Sequence, residues 1–412
     1  MHILLIHQVF VRPEDPGGTR HFELAQQLVR SGHRVTILAS SHNYQTGEKV
    51  TRVRREMLEP RLEIRRCWVA GSFTRSFFSR TIGFLSFLIS SLVTGLTVRD
   101  VDLVWGTSPP LLQVVSAWLV ARLKRIPWVF EVRDLWPAFA IQVGVLKDPL
   151  LIFCSERLER FLYSHADQIV VNSPGFIRHV TERGGAAGRL AVVPNGADTR
   201  MFDPRSDGRQ FRLEHGLTGK FVALYAGAHG LSNDLPVVLE AAGRLGDDSR
   251  IALVLLGSGK EKADLIQKAQ QLELKNVFFL PPVPKMQVAE ALAAMDCGIA
   301  ILKSIPLYGT TYPNKVFDYM AAGRPVVLAI EGEIRKVIEA AAAGIAVRPG
   351  DPEALAGAIR KLADAPEEAR EMGRRGRSFV EAHFDRPRLA ALMEHILVEV
   401  AAGRTVDLAS GM

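Results

Sequence analysis

Residues 313–325, PNKVFDYMAAGRP, set a cation and a carboxylate within the first turn and a half of a short helix. Pro313 and Asn314 suit the start of that helix, Gly323 suits its end, and Pro325 prevents continuation. Lys315, Asp318 and Ala322 fall at i, i+3 and i+7 and share one face, while Val316 and Met320 line another that packs. A helix N-terminus attracts anions through its unpaired N–H groups and its dipole, and Lys315 adds a full positive charge there. Two readings follow from these residues alone: an anion site with a carboxylate beside it, or a surface ion pair contributing roughly a few tenths of a kcal/mol.

The elements that must position such groups are legible in the apolar runs. Residues 2–7 and 35–40 are strands on either side of a helix at 20–31, and the loop after the first strand carries Gly17, Gly18 and Thr19. Strand, helix, strand with a Gly-containing loop first is the opening of a doubly wound parallel sheet. Mostly apolar runs recur at 102–105, 128–132, 168–171 and 190–193, as expected for parallel strands covered on both faces. The turn-rich segment 194–208 marks a domain junction, and the pattern restarts with strands at 221–225, 251–256, 277–280, 297–302, 326–329 and 345–347. The expectation is an α/β chain of two Rossmann-like, doubly wound parallel-sheet domains facing each other across a cleft. They cover residues 1–205 and 206–379, with a helix at about 380–405 packing back on the first.

Open α/β sheets bind ligands beyond the carboxyl ends of their strands, which confines the chemistry to the loops that follow strands. In the first half these are the Gly17–Gly18 loop, which either admits close backbone approach or simply turns the chain, and residues 131–137, EVRDLWP. Asp134 there is a general base or substrate-orienting carboxylate, or else it pairs with Arg133 or caps the next helix. In the second half they are AGAHG (226–230), GSGK (257–260), PPVPK (281–285), Lys303 and the helix opened by Asn314. Gly227 and Gly230 flank His229, so that backbone N–H groups and an imidazole could meet a phosphate; the lone Gly257-x-Gly259 counts as packing. No HExxH or CxxC occurs, and the D-x-D triplet 100–102 opens a strand, away from the ligand side. Without a metal cluster, Lys303 and Lys315 are the pair that would neutralise a diphosphate.

At 412 residues, 48% hydrophobic and 23% charged, the chain has the make-up of a soluble two-domain protein, and its net charge of +7 favours anionic partners. Three scattered cysteines argue for a reducing compartment, and the opening MHILLIHQVF reads as a strand, not a signal peptide; both point to the cytoplasm. Residues 81–98 carry no charge and touch the lower limit for a membrane span. Hydroxyls and glycines dilute that run, and strand-like residues resume at once, so a crossover helix is expected. Arg52, Arg54, Arg55, Arg61, Arg65 and Arg66 precede it, and Arg75 and Arg80 interleave with Phe73, Phe77 and Phe78. Such a mixture suits contact with an anionic membrane surface, or a solvated basic face beside a core helix.

Together, EVRDLWP, VVPNGAD, YAG and PNKVFDYMAAGRPVV make the chain resemble the retaining GT-B glycosyltransferases of the group 1 class, and within it a fucosamine-transferase-like subgroup of lipopolysaccharide and capsule assembly. The resemblance spans nearly the whole chain. It implies a nucleotide-sugar donor held mainly by the second domain, an acceptor held by the first, no cofactor, no required metal and no nucleic acid. It places Asp318 on the donor's ribose hydroxyls, where two carboxylate oxygens suit a vicinal diol. It places Gly227 and the loop through His229 at the phosphates, Val283 within 282–284 near the nucleobase, and Gly17 and Gly18 toward the diphosphate and acceptor. Three positions depart from the class. Thr310 replaces a Glu that contacts the donor sugar, Ala228 or His229 and then Asn233 or Asp234 replace an Arg and Lys pair, and Arg133 replaces a His. The diphosphate then falls to Lys303, Lys315 and the N–H groups of the helix that Asn314 opens, and the sugar to residues 309–312, Thr310 and Thr311 among them.

The activity expected is transfer of a sugar, an N-acetylated or deoxy hexosamine, with retention of configuration from a UDP-sugar. The acceptor is polyprenyl-diphosphate-linked or a saccharide, at the inner face of a bacterial inner membrane, in cell-surface polysaccharide synthesis. Lys303 and Lys315 stabilise the departing diphosphate and Asp134 orients the acceptor hydroxyl. No nucleophilic carboxylate is evident near the sugar, which favours same-face attack inside an ion pair. The rival readings are a non-hydrolysing UDP-sugar epimerase of GT-B fold and a nucleotide-binding membrane scaffold whose site has decayed.

Overall fold

The first eight strands form one sheet in the order β3-β4-β2-β1-β5-β6-β7-β8: β1 (His2–Ile6), β2 (Arg34–Ser40), β3 (Arg55–Glu59), β4 (Leu62–Cys67), β5 (Leu103–Ser108), β6 (Trp128–Val132), β7 (Gln168–Val171) and β8 (Leu190–Val192). This is a computed structural model that describes residues 1–43, 54–70 and 77–408, without the side chains of 77 and 78. Arg52, Phe73, Arg75 and the side chains of Phe77 and Phe78, which enter the basic-aromatic reading, lie outside the described residues. The pairings between these strands are parallel except in the β3–β4 hairpin. That hairpin was not expected, because REMLE and LEIRRC are too charged to read as core strands; β3 lies at the sheet's edge, where exposed charges are tolerated.

Burial on both faces explains the continuous apolar strands. All five residues of β1 are buried, and Ile3 and Leu5 share a core with Leu24 and Leu28 of the helix Arg20–Arg30. On the opposite face, β5 meets the helix Leu112–Lys124 so closely that a Cβ on Gly106 would lie 2.6 Å from that of Ala117. The uncharged run forms the helix Phe77–Thr97, between β4 and β5.

The second sheet is wholly parallel, in the order β11-β10-β9-β12-β13-β14, from β9 (Phe221–Ala226), β10 (Ile251–Leu256), β11 (Val277–Leu280), β12 (Cys297–Ile301), β13 (Val326–Ala329) and β14 (Gly344–Ala346). Its connectivity reverses between β9 and β12, the switch point at which such sheets bind ligands. Alternation along β9 feeds two cores, Val222 and Leu224 on one face and Ala223 and Tyr225 on the other.

The chain divides into two compact units. One holds Met1–Arg12, Gly17–Pro194 and Pro387–Met412; the other holds Pro13–Pro16 and Asn195–Arg386. The junction thus falls at Pro194–Asn195, ahead of the expected 205/206. Asn195 and Ala197 are claimed by the second unit, through hydrogen bonds to the carbonyl oxygens of Tyr312 at 2.7 Å and Phe384 at 3.1 Å. The helix Arg386–Ala401 enters the first unit's core with Leu389, Met393, Ile396 and Leu397.

Candidate active site

In the second unit, the loops after β9, β10 and β11 are fixed to one another by backbone contact. Gly227 and Gly257 both have φ values closed to ordinary side chains, +152° and +145°, and a Cβ on Gly257 would lie 1.9 Å from the carbonyl oxygen of Gly227. A Cβ on Gly259 would lie 2.2 Å from the carbonyl oxygen of His229. The Gly257-x-Gly259 pair therefore packs two loops together. Lys262 completes the joint, its ammonium donating to the carbonyl oxygens of Gly257 and Leu280 at 2.7 Å each.

The helix Asn314–Ala321 starts after extended Pro313, and no side chain caps its N-terminus; the Val316 N–H donates to the Pro313 carbonyl oxygen at 3.1 Å, which leaves the N–H groups of Asn314 and Lys315 for an anion. Val316 and Met320 are fully buried, which fixes the helix against the sheet. Lys315 leaves this platform toward β9: its Nζ stands 3.8 Å from the centre of the Tyr225 ring, and a Cβ on Gly227 would be 2.9 Å from it. Among the described residues, no carboxylate neutralises this ammonium. Half-buried by area but packed round with protein atoms, it is drawn down by desolvation to a pKa of about 7.

Asp318 looks elsewhere, although it shares the helix face with Lys315. Its Oδ2 accepts from Lys285 Nζ at 2.6 Å and from Asn314 Nδ2 at 3.2 Å. A Lys315–Asp318 ion pair is not formed; the cation that Asp318 holds comes from the helix Lys285–Ala294, just after the 281–284 loop. Val283 in that loop is half-buried and packs on the second unit's core.

The other expected donor residues of the second unit lie in the segments that follow β9 and β12. Thr310 and Thr311 turn their hydroxyls back to the carbonyl oxygens of Leu307 and Tyr308, at 2.6 and 2.8 Å, and the Thr311 N–H also donates to the Tyr308 carbonyl oxygen, at 3.2 Å. Lys303 follows β12; its N–H donates to the Ser232 carbonyl oxygen at 3.0 Å, and its charge acts on Asp234. His229 is 0% exposed, and neither ring nitrogen has a hydrogen-bond partner among the described residues. Burial, then the charges of Lys262 and Lys315, lower its pKa to about 4, so it is neutral at pH 7. The imidazole expected to meet a phosphate is thus enclosed behind the loop, and a ligand reaches it only if Gly227–Gly230 moves.

In the first unit, a polar cluster lies at the carboxyl ends of β1, β5 and β6. Glu131, in β6 and fully buried, accepts from Arg20 Nε at 3.1 Å and His21 Nε2 at 2.6 Å. Burial alone would raise its pKa; the facing His21, Arg20 and Arg133 hold it well below the usual carboxylate range. Burial lowers His21 to about 4 despite this partner. Arg133 donates from Nε to Thr107 Oγ1 at 2.8 Å, and its terminal nitrogen lies 3.1 Å from His7 Nε2. Neither hydrogen bond nor ion pair joins it to Asp134 among the described residues. Asp134 is raised to about 6, chiefly by desolvation, against the opposing Arg133 charge and the Leu135 N–H. Gly17 has φ +140°, and a Cβ there would lie 3.0 Å from Val11 Cγ2. A Cβ on Gly18 would meet nothing within 4 Å, so packing does not require that glycine. Among the described residues, no group of three or more His, Cys, Asp or Glu side chains is placed to hold a metal.

Sequence reasoning missed Lys285, which stood only as the last residue of PPVPK, and the Arg20–His21–Glu131 cluster. A carboxylate inside the strand run WVFEV was the available signal, since a buried charge requires partners.

Residues 17–196 match the Glycosyl transferase 4-like domain, and residues 209–379 match the Glycosyl transferases group 1 domain. Between them these run through most of both units, and the chain belongs to the GT-B glycosyltransferases. A putative colanic acid biosynthesis glycosyl transferase, WcaI from Escherichia coli K12, is 26% identical over 377 residues, 87% of this chain and 91% of that one. Sucrose-phosphate synthase from Thermosynechococcus elongatus has the same fold, with a TM-score of 0.78 at 19% identity, covering 98% of this chain and 99% of that one. So does Anabaena HepE, solved in complex with UDP-glucose, at a TM-score of 0.72 and 16% identity over 97% of this chain and 100% of that one.

Proposed function

We propose that this glycosyltransferase moves a sugar, an N-acetylated or deoxy hexosamine, from a UDP-sugar to a lipid-linked or saccharide acceptor in cell-surface polysaccharide synthesis. Transfer proceeds with retention and without a metal, at the inner membrane face. The observation that carries this reading is the ammonium of Lys315, held without a carboxylate partner among the described residues between Tyr225 and Gly227, next to the uncapped turn of its helix. A dianionic leaving group placed there gains both a full charge and N–H donors as negative charge builds on it. Asp318, oriented by Lys285 through its Oδ2, has its second oxygen for a ribose diol. In the first unit, Asp134 receives or orients the acceptor hydroxyl's proton, its pKa of about 6 suiting that task near neutral pH. The UDP complex of HepE and the colanic acid assignment of WcaI support the donor class and the biological setting.

The test is a panel of UDP-sugars incubated with polyprenyl-diphosphate-linked and free saccharide acceptors, with products read by mass spectrometry and the anomeric configuration by NMR. UDP release coupled to an acceptor of increased mass and retained anomer is expected. An epimerised nucleotide-sugar formed without acceptor, or UDP binding with no turnover on any acceptor, would overturn the assignment.

A further inference from the structure

The helix Phe77–Thr97 is built inside out. Toward the protein it presents Gly83, Phe87, Ser91 and Gly95, spaced by four residues and all buried. A Cβ on Gly95 would lie 2.8 Å from Val120 Cγ2, and Ser91 Oγ donates to Ser116 Oγ at 2.9 Å, so small residues bring this helix close to its neighbour, Leu112–Lys124. Toward the outside it presents Ile82, Leu85, Ile89, Val93 and Leu96, which are 37%, 46%, 63%, 59% and 40% exposed. At 100° per residue these five fall within an arc of about 80°, one continuous aliphatic stripe. A helix facing water places its polar residues there. Small residues inward and large aliphatics outward is instead the arrangement of helices whose outer face meets lipid.

We propose that this stripe is a docking surface for an anionic lipid bilayer, with the helix lying in the interface and not crossing it. Its ends are tied into one sheet, through β4 before it and β5 after it, and Lys124 Nζ holds the carbonyl oxygens of Leu96 and Val98 at 3.1 and 2.6 Å. The surroundings have the composition of a membrane rim. Trp68, 66% exposed, is held to the helix by a hydrogen bond from Ser90 Oγ to its carbonyl oxygen at 2.7 Å. Leu123, 62% exposed, stands between Arg122 and Lys124, and Arg99, Arg122 and Arg125 are exposed beyond the helix's C-terminal end, outnumbering the exposed acids Asp100 and Asp102 near them in sequence. The helix itself carries no acidic residue. An aliphatic stripe with a Trp and a cationic end is complementary to acyl chains under anionic headgroups, whereas a protein partner would leave those arginines in need of matching carboxylates. The inference sharpens the membrane part of the function proposed above, but it stands on the helix alone.

Vesicle flotation of the full chain tests it, with mixed phosphatidylcholine–phosphatidylglycerol vesicles against phosphatidylcholine alone, and UDP affinity and melting temperature as controls. The wild type should float with the mixed vesicles. Ile89→Gln/Val93→Gln should lower the bound fraction by about tenfold or more, and Met286→Gln, an equally exposed apolar site in the second unit, should not. The proposal is overturned if the wild type does not float, if the double variant floats equally well, or if phosphatidylcholine alone binds as strongly. It is overturned equally if sedimentation shows a wild-type dimer that the double variant splits, because a second copy would then cover the stripe. Flotation reads no transfer chemistry, so a failure of the sugar-transfer assay would leave this result standing.

Discussion

Lys285 and Asp318, on different helices, meet at 2.6 Å with side chains only 10% and 11% exposed. The pair ties the carboxylate to the element that follows the 281–284 loop, so both ends of the proposed nucleoside site would depend on one ion pair. Lys285→Met leaves Asp318 buried without its charge partner, and should cost about 3 kcal/mol of stability by denaturant unfolding while raising the UDP dissociation constant. Lys285→Met/Asp318→Leu should recover part of the stability and none of the affinity.

Lys315→Met should lower kcat by about 100-fold or more and leave the fold intact, because it removes the cation proposed to meet the charge that develops on the leaving group. Its folded pKa, about 7, lies below the ordinary 10.5. Between those values the unfolded chain binds the additional proton, so the ligand-free wild type gains stability as pH rises from 7 toward 10.5. Thermal unfolding against pH should show this slope in the wild type and a flatter one in Lys315→Met.

Asp134 titrates in the opposite sense. Its pKa is raised from 3.8 to about 6, so the folded state holds the additional proton between those values and this group's contribution to stability falls as pH rises through that window. If the ionised form serves the acceptor, kcat/KM should fall below an apparent pKa near 6. Asp134→Asn should lower kcat roughly 100-fold and remove that limb, with UDP affinity unchanged.

Two glycines give opposite expectations. Gly257→Ala forces a Cβ onto the Gly227 carbonyl oxygen and should destabilise the second unit by about 3 kcal/mol and weaken UDP binding, measured by calorimetry. Gly18→Ala meets nothing within 4 Å, so its stability should change by less than about 0.5 kcal/mol. A loss of turnover in Gly18→Ala at full stability would then report ligand approach to that backbone.

If Lys315 and helix N–H groups carry the leaving-group charge as proposed, millimolar chelator should leave initial rates within about twofold of the untreated enzyme. A rate restored only by added divalent cation would contradict the metal-free mechanism.

The sequence by itself determined what depends on local pattern. Continuous apolar runs between helices specify strands covered on both faces, and all six strands of the second sheet and six of the first are legible that way. Pro313, Gly323 and Pro325 bound the helix of residues 314–321, and its position after β12 puts it at the sheet's ligand end. The charged β3–β4 hairpin was not legible, because edge strands are stabilised by pairing and not by burial. The tertiary structure alone decided which charges meet. Lys315 and Asp318 share a helical face in sequence, yet a ring and a glycine draw one toward β9 while Lys285, 33 positions away, claims the other. The same holds for the helix Phe77–Thr97, where composition shows that it is apolar but only its packing shows that the large side chains point outward. Periodicity gives the face that each residue occupies, whereas the partner it finds there is set by contacts between segments remote in the chain.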